Sequence, residues 1–322
     1  MKRRNLIRAT ALALAMGMTG GAAFAQDAEA EKVTIGVSIP SATHGFMGGL
    51  NWHAQDTIAR LADVYPNIEF VLATAGDAAK QVNDIEDMMA TRDIDGLVVL
   101  PFESEPLTAP VAAVAEAGKF VTVVDRGLSQ PGIEDLYVAG DNTAFGRVAG
   151  EYFRDNLEAG SKIVVLRGIP TTLDNERVDA FQAALEGSDI EILDMQHGNW
   201  NRDDAFTVMQ DYLSKYPEIN AVWAADDDMA LGVLEAISAA GREEEMWVVG
   251  GAGMKEIIQR IRDKDPQLPA NVTYPPAQIS AAIEMTALNF VSRAPMAGRY
   301  IIGSQLITPE NAEQFYYPDS PF

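Results

Sequence analysis

The sequence predicts an α/β fold class in which two doubly wound, Rossmann-like parallel-sheet domains share one chain. Apolar, β-branched segments alternate with amphipathic helical patterns, and this alternation runs through the chain twice. A length of 322 residues accommodates about two such domains. Near-continuous apolar strands between helices are typical of buried parallel sheets with helices on both faces.

The first series of elements begins with a β-branched segment that Pro40 ends, and its last helix stops before Gly118, a glycine typical of helix ends. The predicted strands are Val33–Ile39, Ile68–Ala73, Gly96–Leu100, Phe120–Val124 and Leu136–Ala139. The predicted helices are Trp52–Val64, Ala78–Thr91 and Leu107–Ala117.

The second series repeats the order of strand and helix, and Gly241 follows its third helix. The predicted strands are Lys162–Leu166, Ile190–Met195, Ala221–Ala224 and Met246–Gly250. The predicted helices are Asn175–Leu185, Asp203–Lys215, Met229–Ala240 and Met254–Asp263. No G-x-G-x-x-G follows the first strand of either series, so the pattern does not indicate a dinucleotide-binding loop.

Residues 1–25 have the layout of a secretory signal peptide. An apolar run over residues 9–18 and the small-residue site Ala23–Ala25 follow a basic head that contains Lys2, Arg3, Arg4 and Arg8. We therefore expect cleavage after Ala25 and a periplasmic protein. A membrane anchor is the alternative, but the apolar run is shorter than the ~20 residues that a spanning helix needs. A faint twin-arginine pattern in the basic head leaves the export route open.

The composition limits the kinds of partner and cofactor. The net charge is −23, and removal of residues 1–25 takes away four positive charges and leaves −27. Such a surface repels phosphate backbones, so we expect no nucleic-acid partner and favour a neutral or cationic ligand. The absence of cysteine excludes disulfides, thiolate metal sites and a lipid-anchored form. Three scattered histidines indicate no metal site, and no motif indicates a cofactor.

Polar and aromatic residues cluster in the loops that follow the predicted strands. In open parallel sheets, ligands bind beyond the carboxyl ends of the strands. A crevice between the two domains is therefore the expected binding site. The loops at this edge are residues 40–47, 100–105, 125–126, 167–177, 197–202, 226–228 and 250–254.

Several of these loops carry motifs of a known family. The most specific is Val222–Gly232, with the sequence VWAADDDMALG, and the others are Val123–Arg126, Glu176–Phe181 and Trp200–Gln210. On these residues the chain resembles the ribose-binding family of periplasmic proteins over nearly all of its mature length. The resemblance implies the periplasmic binding protein type I fold, in which two domains joined by three crossing strands close on a sugar.

The resemblance implies hydrogen-bonding roles at five positions. Asp125 is expected to accept hydrogen bonds from ligand hydroxyls, and Arg126 to donate beside it. Arg177 is expected to provide a forked donor. Asp226 stands where the family has Asn or Asp, and His44 where ribose binders have a hydrogen-bonding Asn. For His44, a loop position without ligand contact stays open.

The resemblance also implies that aromatic rings hold the ligand, with Phe46 on one face and Trp200 on the other, because the C–H faces of sugars suit such rings. Tyr274, near the last hinge, stands where the family often has Gln. Leu100 and Gly251–Gly253 replace polar groups of the ribose binders. These departures argue against ribose and favour a polyol, a deoxy sugar or another pentose.

Other residues near this edge have alternative interpretations. Asp227 and Asp228 are expected to cap the helix that follows, since Asp is favoured there. The same run lacks the glycine and distal Glu of a calcium loop. Residues 250–253 could cradle a phosphate, although no Lys-Ser or Lys-Thr follows them. Trp52 and Trp247 are expected in the core.

The resemblance completes a functional hypothesis. The chain is expected to be the substrate-binding component of an ABC transporter, a monomer that delivers a sugar or polyol to an inner-membrane permease. A receptor that docks on a membrane signalling protein is the alternative. A secreted enzyme acting on a sugar is not favoured, because the chain has no nucleophile elbow, H-E-x-x-H or Walker motif. The expected domains are residues 33–139 with 275–303 and residues 140–274 with 304–322, and the expected hinges are Gly140–Thr143, Val272–Pro276 and Ser304–Thr308.

Overall fold

The computed structural model describes residues 31–42, 44–292 and 295–322, so the predicted signal peptide lies outside the described part. Within that part, no helix is both long and apolar enough to cross a membrane. The first elements in chain order are β1 (Val33–Pro40), α1 (Gly45–Val64), β2 (Ile68–Ala75), α2 (Ala78–Arg92), β3 (Gly96–Val99), α3 (Ser104–Glu116), β4 (Phe120–Val124) and β5 (Leu136–Gly140).

The chain continues through a second strand–helix series and three last strands. These elements are α4 (Asn142–Asn156), β6 (Lys162–Arg167), α5 (Thr172–Leu185), β7 (Glu191–His197), α6 (Arg202–Lys215), β8 (Ala221–Ala224), α7 (Asp227–Ala240), β9 (Trp247–Val249), α8 (Lys255–Arg262), β10 (Asn271–Val272), α9 (Gln278–Ser292), β11 (Gly298–Ile302) and β12 (Leu306–Ile307). A short 3₁₀ helix, Ala312–Phe315, follows near the C-terminus.

Two parallel sheets organise two lobes. The first lobe has the strand order β11–β5–β4–β3–β1–β2 with helices α1–α3 and α9, and the second has the order β7–β6–β8–β9 with helices α4–α8. Every neighbouring pair of strands in either sheet is parallel. Strands β3, β5 and β8 are buried along their whole length, as expected for sheets covered on both faces. The predicted fold class is confirmed.

Three chain segments cross between the lobes and hydrogen-bond to one another. Strands β10 and β12 pair antiparallel, and the Thr273 amide donates to the Gln305 carbonyl at 2.9 Å. The Asp141 amide donates to the Ile302 carbonyl at 2.9 Å, so the crossing segment after β5 lies beside the one that leads from β11 to β12. The three predicted hinge segments therefore lie side by side, although hinge motion itself stays a prediction.

Some elements were not predicted from the sequence patterns, namely α4, α9 and β11. Gly146 and Gly150 lower the helix propensity of α4 but allow α5 to approach closely. A Cβ at Gly146 would lie 1.8 Å from the Arg177 carbonyl oxygen, so only glycine permits this contact. Helix α1 also begins at Gly45 rather than at Trp52, because further glycines in its first turns weaken the apolar pattern.

The expectation that Trp52 lies in the core is wrong. Its side chain is 37% exposed and meets the ring of the neighbouring His53 edge-on at 4.9 Å. By contrast, Trp247 packs edge-on against Phe153 at 4.6 Å and belongs to the partly buried shell of the core. Trp52 occupies the outward face of α1, a position that an apolar residue type alone does not reveal.

Candidate functional site

A cavity lies between the lobes, beyond the carboxyl ends of β1, β4, β6 and β8. All eight residues singled out by sequence reasoning line it, together with Met47, Leu173 and Ala252. The predicted set is His44, Phe46, Asp125, Arg126, Arg177, Trp200, Asp226 and Tyr274. Whether each of them contacts a ligand stays a prediction.

Asp125 follows β4 and is buried, with a left-handed backbone (φ 58°) that non-glycine residues adopt rarely. Its carbonyl accepts from the Tyr137 hydroxyl at 2.6 Å. Its carboxylate Oδ1 accepts from the Tyr274 hydroxyl at 2.5 Å and from Gln278 Nε2 at 3.2 Å. The protein thus occupies one carboxylate oxygen and leaves Oδ2 for the cavity.

Arg126 and His44 bring unused hydrogen-bonding atoms to the first-lobe side. Arg126 Nη1 donates to the carbonyls of Phe102 and Pro101, whereas its Nε is buried without a partner. His44 precedes α1, and its Nδ1 is also buried without a partner. Burial lowers the pKa of His44, so its ring is neutral near pH 7. A ligand with oxygen atoms here would satisfy both groups.

Arg177, on α5, is held from several sides. Its Nε donates to Asn142 Oδ1 at 2.8 Å, and its Nη1 donates to the Ala225 carbonyl at 3.2 Å. The guanidinium carbon lies 4.3 Å from the ring centroids of both Phe145 and Tyr274. This arginine is held by two hydrogen bonds and two aromatic rings, and it retains Nη2 and the second N–H of Nη1 as donors.

The second aromatic wall depends on a glycine. Trp200 has a left-handed backbone (φ 51°), and its ring lies directly on Gly168, where a Cβ would come within 2.0 Å of the indole. The Gly168 amide donates to Asp174 Oδ1 at 2.8 Å, and its carbonyl meets His197 Nδ1 at 2.6 Å. Phe46, the opposite aromatic residue, packs against Tyr274 at 5.9 Å.

The three consecutive aspartates before and within α7 have different partners. Asp226 is the N-cap of α7, because its Oδ1 accepts from the Met229 amide at 3.2 Å. Burial, followed by the charges of its two neighbours, raises its pKa well above the ordinary value. The expectation that Asp227 and Asp228 form the cap is therefore wrong. Asp226, the residue predicted to bind ligand, forms the cap instead.

Asp227 organises the loop after β9. Its carboxylate accepts from the amides of Gly251 (2.8 Å), Gly253 (2.9 Å) and Met254 (2.7 Å) and from Asn271 Nδ2 (2.6 Å). These donors would be the ones to cradle a phosphate, and Asp227 already uses them. Burial raises the pKa of Asp227 to about 7, against the lowering effect of the four donors.

Asp228 reaches across to the other lobe. Its Oδ2 accepts from the Gly45 amide, the first residue of α1, at 2.7 Å. Its Oδ1 lies 3.4 Å from Arg202 Nη2. A Cβ on Gly45 would come within 2.6 Å of both this carboxylate and Met254, so glycine is required for the approach. The lobes therefore meet at the rim of the cavity. In the described ranges, no group of three or more His, Cys, Asp or Glu side chains is arranged to hold a metal ion.

Sequence reasoning missed two residues, Gln278 and Phe322, that contact the side chains lining the cavity. It also expected Leu100 at the cavity, and Leu100 does not line it. Leu100 is fully buried in the first-lobe core and does not line the cavity, because its side chain packs inward from the end of β3. Gln278 belongs to the unpredicted helix α9. Phe322 packs edge-on against Phe46 at 6.1 Å. An isolated C-terminal aromatic residue offers no local signal of such a contact.

Two doubly wound lobes around a polar and aromatic cavity define a two-domain α/β binding protein. The chain belongs to the periplasmic binding protein family, since the family model described as "Periplasmic binding protein domain" matches residues 35–292. This family consists of binding proteins, so the expectation of a binding protein rather than an enzyme is confirmed.

Individual relatives agree with this assignment. The ribose import binding protein of Bacillus subtilis is 30% identical over 250 residues, which are 77% of this chain and 78% of that protein. An ABC transporter solute binding protein of Mycobacterium smegmatis, solved with bound glycerol, is 30% identical, with a TM-score of 0.79 over 90% of this chain and 98% of that one. The fructose binding periplasmic domain of a hybrid two component system is 27% identical, with a TM-score of 0.77 over 88% of this chain and 92% of that one.

Proposed function

We propose that this protein is the periplasmic binding component of an ABC transporter and holds one monosaccharide or polyol between its lobes. The observation that carries the proposal is the pairing of Asp125 and Arg177, from opposite lobes, around a cavity with Phe46 and Trp200 in its walls. Hydroxyl groups need directed donors and acceptors, whereas C–H faces suit aromatic rings. The relatives support this choice, since one is a ribose import binding protein and another was solved with glycerol.

Ligand binding acts by stabilising the closed form. A ligand that touches both lobes has a higher affinity for the closed than for the open arrangement, and it shifts the population accordingly. The moving bodies are residues 33–139 with 275–303 and residues 140–274 with 304–322, and they rotate about the three crossing segments. Export removes residues 1–25, and the mature monomer presents its closed form to an inner-membrane permease. Neither nucleic acid nor a cofactor takes part.

Sensing is a second candidate, because one relative is the periplasmic domain of a hybrid two component system. The closed lobes would then dock on a membrane signalling protein instead of a permease. The same cavity serves both functions. A permease and an ATPase encoded beside this chain favour transport, whereas a neighbouring sensor kinase favours sensing.

A thermal-shift screen of residues 26–322 tests the proposed ligand class. Pentoses, hexoses, deoxy sugars and polyols are each added, with amino acids and inorganic phosphate as comparison ligands. A ligand at about 100 times its Kd adds roughly 2.7 kcal/mol of stability, which is readily seen as a higher melting temperature. A shift with an amino acid or phosphate, and with no sugar or polyol, would contradict the proposal.

A further inference from the structure

We propose that the cavity selects a short acyclic polyol of about three or four carbons, and that Tyr274 is the residue that excludes the larger sugar rings. The inference rests on the proposed function and narrows its ligand class. Tyr274 lies in the crossing segment after β10, is 2% exposed and lines the cavity. Its hydroxyl donates to Asp125, and its ring lies against the guanidinium of Arg177.

The first argument is the space between the closed lobes. The Gly45–Asp228 hydrogen bond shows that the lobes already touch, so the cavity has its closed size. Its volume is about 30 Å³, whereas a neighbouring cleft cavity lined by Glu134, Glu176 and Arg299 has about 180 Å³. A single water molecule needs about 10–15 Å³ of such a cavity. The inner cavity therefore favours glycerol or erythritol over pentoses, hexoses and pentitols, which have more heavy atoms.

The second argument is the hydrogen-bonding capacity that Tyr274 removes. Its hydroxyl donates to Asp125 Oδ1, which also accepts from Gln278, so this carboxylate cannot bind two adjacent hydroxyls through both of its oxygens. Its ring also stacks on Arg177, whose Nε and Nη1 are bonded to Asn142 and Ala225. Asp125 thus presents one oxygen to the ligand, and Arg177 presents Nη2 and the second N–H of Nη1.

The remaining free atoms match a short chain. They include Arg126 Nε, His44 Nδ1 and Trp200 Nε1, which are buried without a partner, and also Asp125 Oδ2 and Arg177 Nη2, which have no hydrogen bond to the described residues. Pentoses, hexoses and inositols carry more oxygen atoms than glycerol or erythritol, and each one that is buried without a partner costs about 1–3 kcal/mol. An acyclic polyol rotates about its C–C bonds and places a few hydroxyls on the available atoms.

Calorimetry on residues 26–322 with a size series tests this inference. The probes are glycerol and erythritol against xylitol, ribose, allose and myo-inositol. We expect glycerol or erythritol to bind at least about tenfold more tightly than any of the four larger ligands, which is the cost of roughly one unmatched oxygen atom. A larger ligand that binds as tightly as both glycerol and erythritol overturns the inference and leaves the proposed function intact. If no sugar and no polyol binds, the proposed function itself fails.

Variants at Tyr274 then test its assigned role. Tyr274→Gln shortens the side chain but keeps a donor for Asp125, and we expect the polyol-to-ring affinity ratio to fall by about tenfold. Tyr274→Phe keeps the ring but frees Asp125 Oδ1, so the ratio falls by less than in Tyr274→Gln, about threefold. Tyr137→Phe, which removes the hydroxyl bonded to the Asp125 carbonyl, is the matched control and leaves the ratio unchanged. An unchanged ratio in folded Tyr274→Gln overturns the role of Tyr274. If that variant does not fold, an unchanged ratio in Tyr274→Phe overturns it instead.

Discussion

The two walls of the cavity differ in how many protein partners hold their polar groups. On the second lobe, Arg177 is bonded and stacked, Asp226 caps a helix, and Asp227 accepts from three amides of the loop after β9 and from Asn271 of β10. On the first lobe, Arg126 Nε and His44 Nδ1 are buried without partners, and the Gly45 amide has its acceptor on the other lobe. The charged groups of the second-lobe wall are therefore held by protein partners, although Trp200 Nε1 in that wall has none, whereas Arg126 Nε and His44 Nδ1 of the first-lobe wall stay available to a ligand.

Removing the support of the second-lobe wall has the largest expected effect. At pH 8, where the Asp227 carboxyl is ionised, Asp227→Asn replaces one acceptor oxygen by a donor that faces backbone amides, so the free energy of unfolding falls by about 3 kcal/mol. Urea unfolding of the two proteins measures this difference. Asp189→Asn, an exposed aspartate of the same lobe, is the control and changes stability by less than about 0.5 kcal/mol.

The raised pKa of Asp227 predicts that the stability of the protein depends on pH. The pKa of Asp227 is about 7 in the folded protein and 3.8 in its ordinary state, so the folded form binds the extra proton between these values. Its contribution to stability is fully present below pH 3.8 and is lost as the pH rises through about 7. Melting temperatures from pH 4.5 to 8 should therefore decline with rising pH more steeply in the wild type than in Asp227→Asn. Parallel curves would contradict the assignment.

Ligand affinity should fall by an intermediate amount when one charged partner is removed from either lobe. Asp125→Ala and Arg177→Ala each delete a charge-assisted hydrogen bond, and binding weakens by about 2–3 kcal/mol. Calorimetry with the ligand found in the thermal screen measures this loss. Because Arg177 also supports its own lobe, Arg177→Ala should lower the free energy of unfolding as well.

Asp125→Asn is the matched companion, since Asn tolerates the left-handed backbone at this position better than Ala does. It separates the loss of charge from backbone strain. Wild-type affinity in both alanine variants would show that Asp125 and Arg177 do not contact the ligand. The difference between the lobes would then have no consequence for ligand binding.

The contact between the lobes has the smallest expected effect. Asp228→Ala removes the acceptor of the Gly45 amide, so the closed form loses about 1 kcal/mol and the ligand dissociates about five times faster. Asp228→Asn keeps an acceptor oxygen and should stay near the wild-type rate. Stopped-flow dissociation of the ligand distinguishes the two. Equal rates in all three proteins would show that the contact does not stabilise closure.

Sequence reasoning located the elements and the cavity edge more reliably than the details at that edge. Strands β1 to β9 were predicted within a few residues because buried parallel strands have a strong local signal, whereas α4 was missed because its glycines serve a contact with α5. All eight predicted site residues line the cavity. Strand polarity places the loops of seven of them at one edge, and the family resemblance selected the individual side chains and added Tyr274. Leu100 was misplaced because its burial depends on how β3 packs, which no neighbouring residue reveals.

The sequence by itself determined the two strand–helix series, the acidic charge and the loops that face the crevice, because each of these follows from local pattern and composition. Tertiary structure alone decided which atoms remain free at the cavity. Tyr274 reaches Asp125 across 149 sequence positions, and Asp228 reaches Gly45 across 183. Whether a carboxylate oxygen is open to a ligand depends on such distant partners, and no local pattern records them.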